Sequence, residues 1–456
     1  MIRQYLMSQG YTIPASDWYA TIKLFFDWYR GYVKDVHRFK HATPLGTRYY
    51  DRHYMGMAKT ICEDYASLML NERVKITANG FDALGDILEE NRFFERGNRL
   101  VELYCALGTG AFVEYRSADG APVIDYIRGD MIYPLSWDAD NITQCAFASA
   151  KIVDGKPIYY VQMHVKDGSG YRIKNACIDQ QTGMPLPLPE DVQEETDIAP
   201  VPLFQIVRTN AVNVIDIDSP MGISVFGTAF EQLKAVDIAF DSFVNEFILG
   251  KKRLMVPQSM AQMQMQEDGT IKPTFDPSDV LMYVYQQDAD GKQDLKPFDT
   301  ALRIDEHVQG LQKALDLLSK KCGLGIGRYQ FEQSGMKTAT EVISEKSDLY
   351  QSIKRHEKPL RRAIIGMVRA LSWLTGGSPE IDVSVDFDDS IIEDTNTTID
   401  RNIKLVSNDL RTREAAIMAI EQCDETTAAK IKSEIDAEKS TANAQALDVF
   451  SMQEDV

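Results

Sequence analysis

The sequence predicts an α+β fold built in several domains, and three observations carry that expectation. Apolar residues recur at three- and four-residue steps in long segments around 224–250, 303–322 and 339–374, the mark of amphipathic helices. Residues 108–210 alternate apolar and polar positions between Asp-Gly turns, which predicts antiparallel hairpins. The chain has 456 residues, more than one ordinary core holds.

Taken in order, SDWYATIKLFFDWYRGYVKDVHRF at 16–40 predicts a helix with an aromatic-rich buried stripe. Residues 51–72 predict a second helix, with Met55, Ala58, Ile61, Cys62, Tyr65, Leu68 and Met69 inward. Short helices follow at about 81–90 and 91–107. The period then changes to two, with turns at Asp119-Gly120, Asp154-Gly155 and Asp167-Gly168. Loop 183–200, rich in Pro and acid, should be exposed. Gly108-Thr109-Gly110 lacks the Lys-Ser/Thr of a phosphate cradle, and no GxxxxGK[ST] occurs anywhere.

From Ser224 to about Leu249 one helix is predicted, about 40 Å long, with Gly250 as its cap. Its apolar residues are Phe226, Phe230, Leu233, Phe240, Phe243, Val244 and Phe247. A second, near Arg303 to Cys322, carries a narrow seam of Ile304, Val308, Leu311, Leu315, Leu318 and Cys322. The rest of that helix is polar, so it is sheltered on one side only. The pattern fits an ordinary surface helix pair, and it fits polar faces lining a space shared by several subunits. Between the two helices, 251–300 reads as a small α/β insertion. It holds the polar run AQMQMQEDGT, readable as an adaptable contact surface or a plain loop, and the strand-like DVLMYVYQQ.

Beyond Cys322 comes the Gly-rich GLGIGRYQFEQSGMK. A capping box follows, in which the Thr338 hydroxyl and the Glu341 carboxylate bond each other's backbone amides. It starts a third long helix, 339–374, with a kink expected at Pro359 because proline removes a backbone bond and crowds the preceding turn. The strand EIDVSVDF leads to an acidic turn of Asp386, Asp388, Asp389, Glu393 and Asp394. Those carboxylates could hold a cation, but EF-hand spacing with its central Gly is absent, and a solvated acidic turn is the preferred reading. Two or three short amphipathic helices are expected from Thr397 to about Lys439, and a frayed tail after Ser440.

The formal net charge is −19. Such a chain should not adhere to DNA as a whole, although a conduit through which DNA slides without sticking is compatible with it. Acidity also simply keeps a protein in solution. No apolar window approaches membrane-spanning length, and MIRQYLMSQGYTI lacks a signal-peptide core. Six scattered cysteines without a CxxC pair suit buried thiols in a reducing cytoplasm, not a disulfide frame or a zinc site. The six histidines form no ligand spacing, and no GxSxG or papain-type signature occurs. No catalytic residue, cofactor or metal is therefore expected.

In order and spacing, several stretches resemble the SPP1-like portal family of bacteriophages of Gram-positive hosts. They are MAKTICEDYASLMLNE at 57–72, GTGAFVEY at 108–115, the helix–insertion–helix block at 224–322, MKTATEVISEKSDLYQSIKRHE at 336–357 and VDFDDSIIED at 385–394. The resemblance implies a multidomain portal fold: a wing over 1–222, stem helices over 223–250 and 301–322, a clip over 251–300, a tunnel loop over 323–337, a kinked wing helix and strand over 338–390, and a helical crown over 391–456. It implies a ring, usually of twelve subunits, at one capsid vertex of the virion, assembled in the bacterial cytoplasm. Double-stranded DNA passes through that channel, driven by the terminase large subunit. A head–tail adaptor, scaffold and major capsid protein are the further partners implied. In such a ring Lys313, Lys320 and Lys321 would form cationic bands, and Arg328, Tyr329, Gln330, Phe331 and Lys337 would sit where a loop can touch DNA. The same residues read equally as the polar turn between two helices. Another phage ring or connector component is the alternative. A DNA-processing enzyme is a further one, although it would need a phosphate cradle or metal-carboxylate set that the sequence lacks.

Overall fold

The computed structural model describes residues 1–456 except 15, 44–45, 72, 118, 154, 190–191, 258–262, 266–268, 270, 274–280, 286–295, 300, 332–338, 388–394, 422, 424–425 and 438–456. The chain divides into two compact units, Met1–Phe387 and Asp388–Val456.

The first unit begins with α1 (Ile2–Ser8), α2 (Ser16–Tyr29), α3 (Lys34–His37) and an antiparallel ribbon, β1 (Arg38–Thr43) with β2 (Gly46–Asp51). The helix expected over 16–40 thus stops at Tyr29. The amides of Arg30 and Gly31 close it in a turn onto Phe26 and Trp28, and the chain doubles back. The next helix, α4 (Met57–Met69), starts later than the sequence suggested. The amides ahead of it are taken by distant acceptors: Arg52 by the His37 carbonyl, His53 by Asp241 and Met55 by Asp237. Amides committed that way cannot join a helical ladder.

β3 (Lys75–Ala78), α5 (Leu84–Glu90) and α6 (Phe93–Leu107) follow, the two helices where the pattern put them. The region beyond is β-rich and antiparallel, as expected. β4 (Thr109–Arg116) lies between β5 (Pro122–Arg128) and β11 (Phe204–Arg208) in a three-stranded sheet. A five-stranded meander joins β6 (Ile132–Asp138), β7 (Asn141–Val153), β8 (Lys156–Asp167), β9 (Gly170–Asp179) and β10 (Pro185–Leu186). One face of the meander packs Tyr133, Ala146, Val161 and Ile178 against Ile2 and Leu6 of α1. Ile173 and the connection through Ala199 and Leu203 pack against Ala370 and Leu374.

Two long helices, α7 (Phe230–Leu249) and α8 (Ile304–Lys321), pack together. α7 begins six residues later than Ser224, and at 20 residues is about 30 Å long. The reason lies in what holds 222–225. Gly222 donates its amide to Thr109 Oγ1 at 2.9 Å, and Val225 donates to the Cys105 carbonyl at 2.9 Å. Ser224 Oγ donates to that same carbonyl. Gly108 and Gly222 press together here: a Cβ on Gly108 would lie 2.1 Å from the Gly222 carbonyl oxygen. The entry to α7 is therefore stapled to the end of α6 before any helix can form.

The insertion between the long helices contains β12 (Arg253–Pro257), β13 (Met263–Met265), β14 (Ile271–Pro273), β15 (Leu281–Tyr285) and β16 (Lys296–Phe298). β12 pairs parallel with β15 and antiparallel with β16, while β13 and β14 form a ribbon. The strand-like DVLMYVYQQ is thus β15, and the Met/Gln run supplies β13. The described residues of the insertion include no helix.

The third long helix, α9 (Ala339–Leu374), has 36 residues and stays helical through Pro359. β17 (Val383–Asp386) pairs antiparallel with β3. Tyr65 of α4 ties this core to the end of α8: its hydroxyl donates to the Cys322 carbonyl at 2.7 Å and lies 2.8 Å from Ser352 Oγ of α9.

The second unit holds α10 (Thr395–Ser407), α11 (Arg413–Glu421) and a helix over 426–437. The sequence predicts two or three short amphipathic helices here, and the described residues form three. Ala416 and Ala428 are buried, whereas Ile403 and Leu410 are exposed.

Candidate functional site

The candidate surface is built on α8. Its seam buries progressively toward the C-terminus: Ile304 is 40% exposed, Leu311 4%, Leu315 1% and Leu318 0%. Asp305 and Glu306 in the first turn and Lys320 and Lys321 in the last oppose the helix dipole with the favourable signs. Lys313, Lys320 and Lys321 are all exposed. Lys313 lies 3.6 Å from Asp316, one turn away, and is 82% exposed, so that pair leaves its ammonium in solvent. Leu317, 64% exposed, stands on the same stripe. The three lysines thus line a solvent-facing stripe opposite the buried seam.

At the far end of the helix pair, Glu246 of α7 grips the start of α8. Arg303 meets it with Nη2 at 2.9 Å and with its backbone amide at 3.1 Å, and His307 Nε2 lies 3.2 Å away. The Arg303 bonds hold the Glu246 carboxyl down at about 2. This clamp closes the base of the insertion.

The turn after α8 is fastened at several points. Ser319 Oγ donates to the Gly325 carbonyl. Gly323 takes φ +78°, and a Cβ there would lie 2.5 Å from Ser352 Oγ. Leu324 is buried. Gln312 of α8 holds the turn twice, donating from Nε2 to the Tyr329 carbonyl at 2.8 Å and accepting the Phe331 amide at 3.3 Å.

Arg328 and Tyr329 both turn to Asp64 of α4. The guanidinium donates Nη2–H to Oδ1 at 2.8 Å and Nε–H to Oδ2 at 3.1 Å, and the Tyr329 hydroxyl donates to Oδ2 at 2.8 Å. Burial, first, and then the Asp64 charge raise the Tyr329 phenol. Gln330 and Phe331 are exposed, Phe331 by 51%.

Of the residues singled out in the sequence, the structure therefore brings Arg328 and Tyr329 together on one carboxylate. It leaves Lys313, Lys320, Lys321, Gln330 and Phe331 facing solvent. Lys337 and Thr338 lie outside the described residues, as does the side chain of Glu341, and so does the capping box they would form. The acidic turn is likewise outside except for Asp386, which belongs to β17.

Sequence reasoning missed Asp64, Gln312 and Glu246, which do the fastening. It also missed the latch between the ribbon base and α7, where His37, fully buried, faces Asp237. The partners lie from 17 to 265 positions apart along the chain, so no local spacing announces them. Among the described residues no group of three or more metal-capable side chains occurs, and no helix is long and apolar enough to cross a membrane.

The profile of a family described as phage portal protein, SPP1 Gp6-like, matches residues 18–441. Among solved structures, a chain of the virion of native gene transfer agent (GTA) particle is similar at 12% identity. It covers 88% of this chain and 92% of that chain, with a TM-score of 0.40. A chain of the neck of native GTA particle, computed with C12 symmetry, matches at 12% identity, covering 79% and 89%, with a TM-score of 0.38. No curated protein matches.

Proposed function

This chain belongs to the SPP1 Gp6-like family of phage portal proteins, and on that premise we propose that it closes into a ring at one capsid vertex and passes double-stranded DNA along the ring axis. The observation that carries the reading is the family match over residues 18–441. It spans the helical and β-rich parts, the helix–insertion–helix block and most of the C-terminal helices.

The geometry is compatible with that use. A head-to-tail ring needs each copy to offer two different surfaces, and α7 leaves Ile238, Phe247 and Ile248 more than a third exposed. In this reading α7 and α8 are the stem, 251–300 the clip, 323–337 the tunnel loop and 391–456 the crown. The Lys313, Lys320 and Lys321 stripe faces the channel. In an acidic tube such bands would meet phosphate weakly and transiently, which suits translocation. Gln330, Phe331 and Lys337 are the loop contacts to DNA. Arg328 and Tyr329 join them only when released from Asp64. The clip is the docking site of the terminase large subunit and later of the head–tail adaptor, and scaffold and major capsid protein surround the ring. Twelve copies is the expected number, and the ring takes no cofactor.

Negative-stain microscopy of the purified chain is the test. Rings with a central hole are expected, and the sample alone should turn over no ATP. Monomers under every assembly condition, or steady ATP turnover abolished by one substitution in this chain, would count against the reading.

A further inference from the structure

Among the described residues no third strand joins the β1–β2 ribbon. Every described side chain from Arg38 to Ala42 and from Gly46 to Asp51 is exposed. A two-stranded ribbon alone in water is marginal, and both of its edges are open to further pairing. Its base, by contrast, is rigid. His37, Arg52 and His53 fasten it to Asp237 and Asp241 of α7.

Its composition is opposite to that of the chain. Arg38 and Lys40 stand over the Tyr49 ring at 4.9 and 5.7 Å, and Phe39 stacks on Tyr50 at 6.0 Å. Arg48 adds a third cation, against Asp51 as the lone acid of the two strands. Arg38 and Lys40 share one face of the ribbon with Tyr49 and Asp51, and Arg48 lies on the other with His41 and Tyr50, so the ribbon presents cations beside rings on both faces and is net basic.

The same unit carries a matching acidic face. Asp82, Asp86, Glu89 and Glu90, in and just before α5, are all exposed, and no basic residue interrupts that stretch. Glu89 and Glu90 occupy the last turn of α5, where the helix dipole disfavours negative charge. The two faces are held apart. α4 and α6 run antiparallel, with Lys59 facing Glu102 at one end and Asn98 bonding the Ala66 and Leu70 carbonyls at the other. The ribbon enters at the Met57 end of α4, and α5 leads into α6 at the other end, roughly 20 Å away along the helices. Among the described residues no ion pair joins ribbon to α5.

We infer that the β1–β2 ribbon docks on the acidic α5 face of a second copy of this chain, forming one half of a head-to-tail contact. This rests on the ring reading above. Copies at −19 repel one another, so a ring of them needs local contacts of opposite sign. Two different surfaces at opposite ends of one helix pair supply what a heterologous, closing interface requires. The charge also sets the expected behaviour: such a contact weakens as salt rises.

Two variants test it. In one, Arg38→Glu, Lys40→Glu and Arg48→Glu make the ribbon acidic; in the other, Asp86→Lys, Glu89→Lys and Glu90→Lys make α5 basic. Mass photometry and negative stain read the ring fraction, and circular dichroism checks the fold. Each variant alone should lose the rings that the wild type forms. Mixed in equal amounts, they should form rings again, because each ribbon then meets a neighbour's α5 of opposite sign. Should either variant fail to fold, Lys40→Gln and Glu89→Gln replace them, and their rings should fall apart at lower salt than those of the wild type. Wild-type rings with unaffected variants, or no recovery on mixing folded variants, overturn this contact alone. Rings kept intact while short duplex DNA no longer binds the ribbon variant overturn it in favour of DNA. A wild type that never forms rings overturns the ring reading and this contact together.

Discussion

The imidazole of His37 and the carboxylate of Asp237, 200 positions apart, meet at 3.0 Å with both residues buried. Nδ1 of His37 lies 2.8 Å from the Val33 amide nitrogen and 3.0 Å from the Val33 carbonyl oxygen, while Nε2 faces Asp237 Oδ2. The other oxygen of Asp237 accepts the Met55 amide at 2.8 Å. One carboxylate thus fixes the ribbon base, the entry to α4 and the first half of α7.

Replacing Asp237 with Ala takes the partner from the part-buried Met55 amide and from the buried His37 ring nitrogen. Breaking one side of such a buried pair costs roughly 3 kcal/mol or more. Asp237→Ala should lower the urea midpoint accordingly, while Asp241→Ala, at the more exposed neighbour, costs much less. Equal losses from the two would show that burial of the His37 pair contributes little.

A pH dependence follows from two groups buried in the β-rich region. Burial pushes the Glu114 carboxyl up to about 8, only partly offset by the neighbouring Gln205 amide. Unfolded, the group ionises near 4.5. The unfolded chain therefore sheds this proton first, and stability falls as pH rises from about 4.5 through about 8. His164 has the other sign: burial lowers it from 6.5 to about 3. The unfolded chain takes up that proton first, so stability falls as pH drops from 6.5 toward 3. Glu114→Gln should abolish the alkaline loss, worth a few kcal/mol, and leave the acid loss in place. Urea midpoints measured from pH 5 to pH 8 check it; an unchanged slope in the variant would exclude Glu114 as its origin.

The Glu246 clamp has a narrower window. Its carboxyl is held at about 2 by Arg303, against 4.5 in the unfolded chain. A depressed acid contributes fully above 4.5, and its contribution disappears as pH falls through about 2. Glu246→Gln should therefore loosen the base of the insertion at neutral pH, read as faster hydrogen exchange at the first turn of α8. At pH 2 wild type and variant should exchange alike. A difference that persisted at pH 2 would place the clamp's effect elsewhere.

How far the sequence showed this molecule depends on where each element's bonds go. α8 was legible to within a residue at each end, because its seam from Ile304 to Leu318 is a local period of three and four that is buried from Leu311 onward. α9 and the hairpins behaved the same way, with Gly120 and Gly168 at positive φ where Asp-Gly turns were expected. The start of α7 was misjudged because Phe226 continues the apolar period, while Gly222, Ser224 and Val225 spend their bonds on residues 105 and 109. The ribbon at 38–51 was invisible for a different reason. Its alternation is of charge and ring, and neither face is buried, so the usual apolar-in, polar-out signal never arises. The candidate site was half legible. Lys313, Lys320 and Lys321 fall on the solvent stripe that the seam implies, but nothing near Arg328 in sequence points to Asp64.

That last pairing sets the sharpest test. The glycines at 323, 325 and 327 invite the expectation that the whole turn moves, yet the described part of it is bonded to Gln312, Ser319 and Asp64. Motion of 323–331 must therefore break the Asp64 contacts, and a DNA phosphate reaching Arg328 must displace a bidentate carboxylate. If Arg328 serves the fold, Arg328→Ala and Asp64→Asn both break the bidentate ion pair, and Asp64→Asn also disturbs the Tyr329 hydroxyl bond. The double variant should then cost less than the sum of the two singles in a double-mutant cycle, by about 1 kcal/mol for a pair that is only partly buried. If Arg328 serves DNA, the two part company. Arg328→Ala should slow packaging into proheads, while Asp64→Asn frees the guanidinium, speeds hydrogen exchange at 326–331 and leaves packaging at least as fast as in the wild type. Packaging slowed equally by both variants, with ring formation intact, would mean that the docked turn is the working state and that release of Arg328 plays no part in translocation.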